Sequence, residues 1–254
     1  MTSISVTGHD INVANIEDLI SFCTGYGTAY NPSKNAIKLP QLNTLLTNAK
    51  NSLTATNTAL IPFNNAVNAR EIAFAPLSKL VTRIFASLDA TDASKQVVKD
   101  AKIICRKLQG KRAEKVSPLP QSTTPADKTI LPTPLPIPPG NISASQMSFD
   151  SRIENFSKLI ALLTSEPLYV PNETDVKIVT LNAWLATLKT TNTSVINATT
   201  PASNARISRN KTLYLPTTGL YDIQLEVKKY VKSVFGARSP EFKQISGIKF
   251  TKAR

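Results

Sequence analysis

The chain has 254 residues and a formal net charge of +13, from 30 Lys and Arg against 17 Asp and Glu. With 41% hydrophobic and 19% charged residues it can bury a core, and its composition is not that of a disordered chain. Eight glycines, two cysteines and one histidine argue against Gly-rich phosphate loops, a disulfide framework and any multi-histidine metal or catalytic site.

Residues 1–14 hold the one histidine, His9, and read as a loose N-terminal segment. No basic stretch precedes an apolar run there, so no secretory signal is expected, and no run is long enough to span a membrane. A cytoplasmic protein is the expectation. Cys23 and Cys105 sit among apolar neighbours and read as buried thiols.

Ile11 to Phe22 reads as a short amphipathic helix, followed by a turn at Thr24-Gly-Tyr-Gly-Thr28. From Leu39 the apolar spacing alternates three and four: Leu39, Leu42, Leu46, Ala49, Leu53, Thr56, Leu60, Phe63 and Val67. Such a seam keeps one stripe of a long helix facing a partner. Pro62 is expected to kink or break it. Leu77, Val81, Ile84 and Leu88 mark a further helix, and Val97, Ala101, Ile104 and Leu108 another.

Prolines then crowd the stretch 117–143, including Leu-Pro-Thr-Pro-Leu-Pro-Ile-Pro-Pro, which cannot be helix and reads as a semi-rigid linker. Beyond it the same features return. Ser151 to Leu163 reads as a helix, with Ser151-Arg-Ile-Glu154 in capping-box form. A second seam runs through Ile178, Leu181, Leu185, Leu188, Asn192, Val195, Thr199 and Ala202, with Pro201 where the first has Pro62. Leu220, Ile223, Val227, Tyr230 and Val234 mark the next helix, ending near Gly236. Ser239-Pro240-Glu241 opens a last helix that Gly247 cuts short.

These echoes align at a nearly constant offset. Asn15, Leu19, Ile20 and Thr24 fall on Asn155, Leu159, Ile160 and Thr164; Tyr30, Pro32, Leu46, Pro62 and Arg70 fall on Tyr169, Pro171, Leu185, Pro201 and Arg209. The organisation read from this is a first helical copy over 15–116, the linker, and a second copy over 144–254. The expected fold is all-α: an antiparallel up-and-down helical bundle built from two tandem copies of one helical unit.

The charge gathers where each copy closes. Residues 95–115 carry eight Lys and Arg against two acids, and residues 206–254 carry eleven against three. Such segments attract polyanions. The candidate polyanion-binding residues are Lys102, Arg106, Lys107, Lys111 and Arg112 in the first copy, with Lys228, Lys229, Lys232, Arg238 and Lys243 in the second. Arg70 and Arg209, at matching places late in the long helices, are candidates for binding an anion or for structural pairing.

The ending from Lys228 to Lys252, with Lys-Ser-Val-Phe-Gly-Ala-Arg-Ser-Pro-Glu-Phe at its centre, resembles a stretch of uncharacterised bacterial duplicated helical-bundle proteins. That resemblance implies an all-helical fold and brings no activity or site residues. The expected function is non-catalytic, a scaffold or protein-interaction module; the alternative is non-sequence-specific binding of nucleic acid or another polyanion. No cofactor and no catalytic residue is expected. The partner, protein or polyanion, and the oligomeric state stay open.

Overall fold

The computed structural model describes residues 8–111 and 147–252. Arg112, the proline-rich linker and residues 1–7 lie outside them. The described residues are all-α, with no strand among them. Among the described residues eight α-helices follow in order: α1 Gly8–Gly25, α2 Leu39–Phe74, α3 Leu77–Asp89, α4 Lys95–Gln109, α5 Phe149–Ser165, α6 Ile178–Tyr214, α7 Leu220–Phe235 and α8 Pro240–Ser246. None is long and apolar enough to cross a membrane.

Several ends form as the local chemistry dictates. Ser94 and Ser239 accept hydrogen bonds from the backbone of Val97 and Phe242 at the starts of α4 and α8, and Pro240 opens α8, where its missing N–H costs nothing. Gly110 takes a left-handed φ of 66° at the end of α4, and the Lys111 N–H returns to the Arg106 carbonyl.

Three local readings are corrected. Helix α1 starts at Gly8, so His9 and residues up to 14 are helical rather than loose. The cap of α5 is Ser148, which accepts from the Ser151 N–H; Glu154, freed from a capping box, pairs with Lys158 one turn on. Pro62 and Pro201 end neither long helix. Both rings are exposed, and so are Thr58 and Asn197, whose carbonyls lose their usual donor; water can satisfy them there.

The chain divides into two compact units, and both draw on the two halves of the sequence. The first takes residues 1–65 and 196–254. Its core joins Ile16, Leu19, Ile20 and Cys23 of α1 and Leu42 and Ala49 of α2 to Leu213 of α6, Leu220, Ile223, Val227 and Val231 of α7, and Ile245 of α8. Thr56, buried on α2, donates to the Ala205 carbonyl of α6. The non-helical tail after α8 is held to α1: Asn12 exchanges two hydrogen bonds with the Thr251 backbone, each 2.8 Å, and Asn15 donates to the Lys249 carbonyl.

The second unit takes residues 66–195. Its core joins Phe74 of α2, Leu77, Val81, Ile84 and Leu88 of α3, and Ala101, Cys105 and Leu108 of α4 to Phe156, Leu159, Ile160 and Leu163 of α5 and Leu181, Leu185 and Leu188 of α6. Phe74 meets Phe149 edge-on, and Phe156 meets Trp184 the same way. The boundaries 15–116 and 144–254 read from the repeat therefore do not coincide with the compact units, because each core is completed by helices from both sides of the linker.

Equivalent details recur in the two units. The Tyr30 phenol donates to the Ile37 carbonyl at 2.7 Å, and the Tyr169 phenol to the Val176 carbonyl at 2.9 Å. Thr24 and Thr164 donate to the carbonyls of Ile20 and Ile160. Starting at the first residue of each helix, α3 buries Leu77, Val81, Ile84 and Leu88, and α7 buries Leu220, Gln224, Val227 and Val231, the same four-three-four spacing.

Candidate polyanion-binding surfaces

Helix α4 turns Ala101, Cys105 and Leu108 into the core of the second unit. At about 100° per residue, Lys95, Lys99, Lys102 and Arg106 fall within about 60° of one another on a flank about 120° away from that face. Lys95, Lys99 and Lys102 are exposed, and none has an ion-pair partner among the described residues. Asp100, the acid of this helix, lies on a different flank. The three lysines line a surface depression of about 400 Å³ together with Asp89 and Thr91. Arg106 and Lys107 are half-buried and Lys111 is exposed. The hydrogen bond and charge of Lys158 hold the Glu154 carboxyl below its usual range, and the Lys107 charge adds a smaller effect.

In the first unit the exposed candidates are Lys229 and Lys232 on α7, Arg238 in the turn, and Lys243 on α8. The Lys232 ammonium lies 6.0 Å from the Phe242 ring centre. Lys228 is different. Its ammonium donates to the Ile248 carbonyl and lies over the Phe250 ring, and burial lowers its pKa. It ties the tail to α7 and is not free for a ligand. Tyr230 and Phe235 pack against the core of this unit, Tyr230 edge-on to Tyr30.

Arg70 and Arg209 are used unequally. The Arg70 guanidinium stacks on Phe149, 3.9 Å from the ring centre, and donates to Asn192 Oδ1 at 3.1 Å; Asn192 in turn donates to Asp150. These contacts give the guanidinium a structural role, although its buried Nε has no hydrogen-bond partner among the described residues. Arg209 donates to its neighbour Asn210. Near it the sequence reading missed a polar cluster: His9 Nδ1 lies 2.7 Å from the Tyr214 hydroxyl, which also accepts from Asn12. Burial, and then the charge of Arg209, lower the His9 pKa.

The remaining chemistry is sparse. Burial pushes both Cys23 and Cys105 thiols up to about 12, so neither is a thiolate near neutral pH. The hollow of about 510 Å³ beside α3 is lined by Arg83, Ser87, Thr91, Asn172 and Glu173. Among the described residues no three His, Cys, Asp or Glu side chains gather to hold a metal. No protein-family model matches the chain, and the comparisons with curated proteins and with solved structures also found no match.

Proposed function

We propose that this protein works without catalysis, as a helical scaffold made of two copies of one antiparallel bundle unit, and that its ligand is a polyanion, the phosphate backbone of a nucleic acid. The observation that carries the ligand reading is the α4 stripe: Lys95, Lys99 and Lys102, exposed and unpaired among the described residues, aligned at helical spacing with Arg106. Successive members rise about 4.5–6 Å along the helix, a spacing that lets several phosphates be met at once. The exposed group Lys229, Lys232, Arg238 and Lys243 offers a second such surface in the other unit. The repeated tyrosine clips and the matched spacing of α3 and α7 support the two-copy reading.

The test is fluorescence anisotropy with a labelled single-stranded oligonucleotide over a range of salt. Binding should weaken linearly in log–log form, each neutralised phosphate adding about 0.7 to the slope. Changing Lys95, Lys99 and Lys102 together to Gln should lower the slope by roughly 2 and weaken binding about tenfold or more. Binding that is absent at low salt, or unchanged in the triple variant, contradicts the reading.

A further inference from the structure

In both units, α3 or α7 faces the one-turn helix that precedes a long helix: α3 meets Thr174–Val176, and α7 meets Asn35–Ile37. Each contact carries one ion pair. Lys34 pairs with Glu226 at 2.6 Å, and Arg83 pairs with Asp175 through its two terminal guanidinium nitrogens. The matched starts of α3 and α7, Leu77 and Leu220, put Arg83 and Glu226 at equivalent positions. Lys34 precedes the Asn35–Ile37 turn as Glu173 precedes Thr174–Val176. The pairing acid Asp175 stands at the place of Ala36, two residues on from Glu173, so it is the sign of the loop's charge, not one matched position, that is inverted between the units. In one the loop supplies the cation and the helix the anion; in the other the roles are exchanged.

This inversion has no value for stability alone, since exposed pairs contribute little in either polarity. It has value for choosing a partner. The core residues of α1 share one cluster with those of α7 and α8 from beyond the linker, and the core residues of α5 share the other with those of α3 and α4 from before it. Each half of the chain thus presents a docking surface, and similar halves could be covered by a copy of themselves. If a first half met another first half, Lys34 would face Arg83. If a second half met another second half, Asp175 and Glu173 would face Glu226.

We propose that these two pairs sort the halves, so that each half docks on its complement and rejects the same half of a second copy of this chain. Like-charge contacts at both junctions penalise the wrong pairing, while the right one gains two attractions. The proposal rests on the two-copy reading.

The experiment uses the whole chain with a protease site placed within 117–143, cut, unfolded in urea, refolded and weighed by native mass spectrometry. The wild type should refold as the 1:1 complex of unlike halves. In Lys34→Glu with Asp175→Lys, both native junctions become repulsive, the junction between two first halves becomes attractive, and that between two second halves loses its net repulsion. The ratio of unlike to like complexes should fall roughly tenfold, as the exposed charge contacts at these junctions change. Adding Arg83→Glu and Glu226→Lys to that variant should restore the unlike complex. A ratio unchanged in the double variant, or not restored in the quadruple variant, overturns the sorting. Halves that separate after cutting and fold alone overturn the shared-core reading beneath it.

Discussion

Tyr169 donates its phenolic hydrogen to the carbonyl of Val176, seven residues along the chain, at 2.9 Å. The bond closes the loop that delivers α5 into α6, and burial raises the tyrosine's pKa to about 12, which keeps the donor protonated across the physiological range. Tyr30 makes the same bond to Ile37.

Removing either hydroxyl leaves a buried carbonyl without its donor. Tyr169→Phe and Tyr30→Phe should each lower stability by about 1–2 kcal/mol in urea unfolding, with little change in helical circular dichroism. Similar losses at the two sites are expected from equivalent clips.

Gln224 occupies, on α7, the place that Val81 holds on α3. It is 2% exposed, and its Oε1 has no hydrogen-bond partner among the described residues. Gln224→Met keeps the shape and removes the buried acceptor. The variant should be more stable than wild type by about 1 kcal/mol, read from the shift in thermal or urea midpoint.

How far these details could be read beforehand depends on what a pattern encodes. The seams from Leu39 and Ile178, and the stripes through Leu77 and Leu220, state that one side of each helix must be covered, so the all-helical class was legible. They do not state by what. Leu19 needs apolar neighbours of the right shape, and helices on either side of the linker meet that need; only contacts such as Asn12 with Thr251 and Tyr30 with Tyr230 select the answer. The basic segments were legible as charge, but Lys228 could not be separated from Lys229 until the tail carbonyl of Ile248 was placed beside it. The junction charges of Lys34, Arg83, Asp175 and Glu226 were invisible for the same reason, since each pair is more than 90 residues apart in the chain.

Arg70, Phe149, Asn192 and Asp150 form one network in the second unit. A double-mutant cycle on Arg70→Met and Asn192→Ala should give a coupling of about 1–2 kcal/mol, because the hydrogen bond involves a charge and is partly shielded from water. Additive losses would show that the two side chains act separately.

His9 makes stability depend on pH in a stated direction. Burial and Arg209 lower its pKa in the folded chain, so the unfolded chain takes up the proton first. The contribution is complete above the unfolded value, about 6.5, and is lost as pH falls through the lowered folded value. Urea midpoints should fall as pH is lowered below about 6.5, and His9→Gln should flatten part of that drop.

The most direct measurement is a nuclear magnetic resonance titration of the isotope-labelled protein with a single-stranded oligonucleotide at low salt. The account predicts amide shifts concentrated along α4 from Lys95 to Arg106, with a second set around Lys229 to Lys243, all collapsing as salt is raised. Shifts confined to other faces, or none at saturating oligonucleotide, would contradict it.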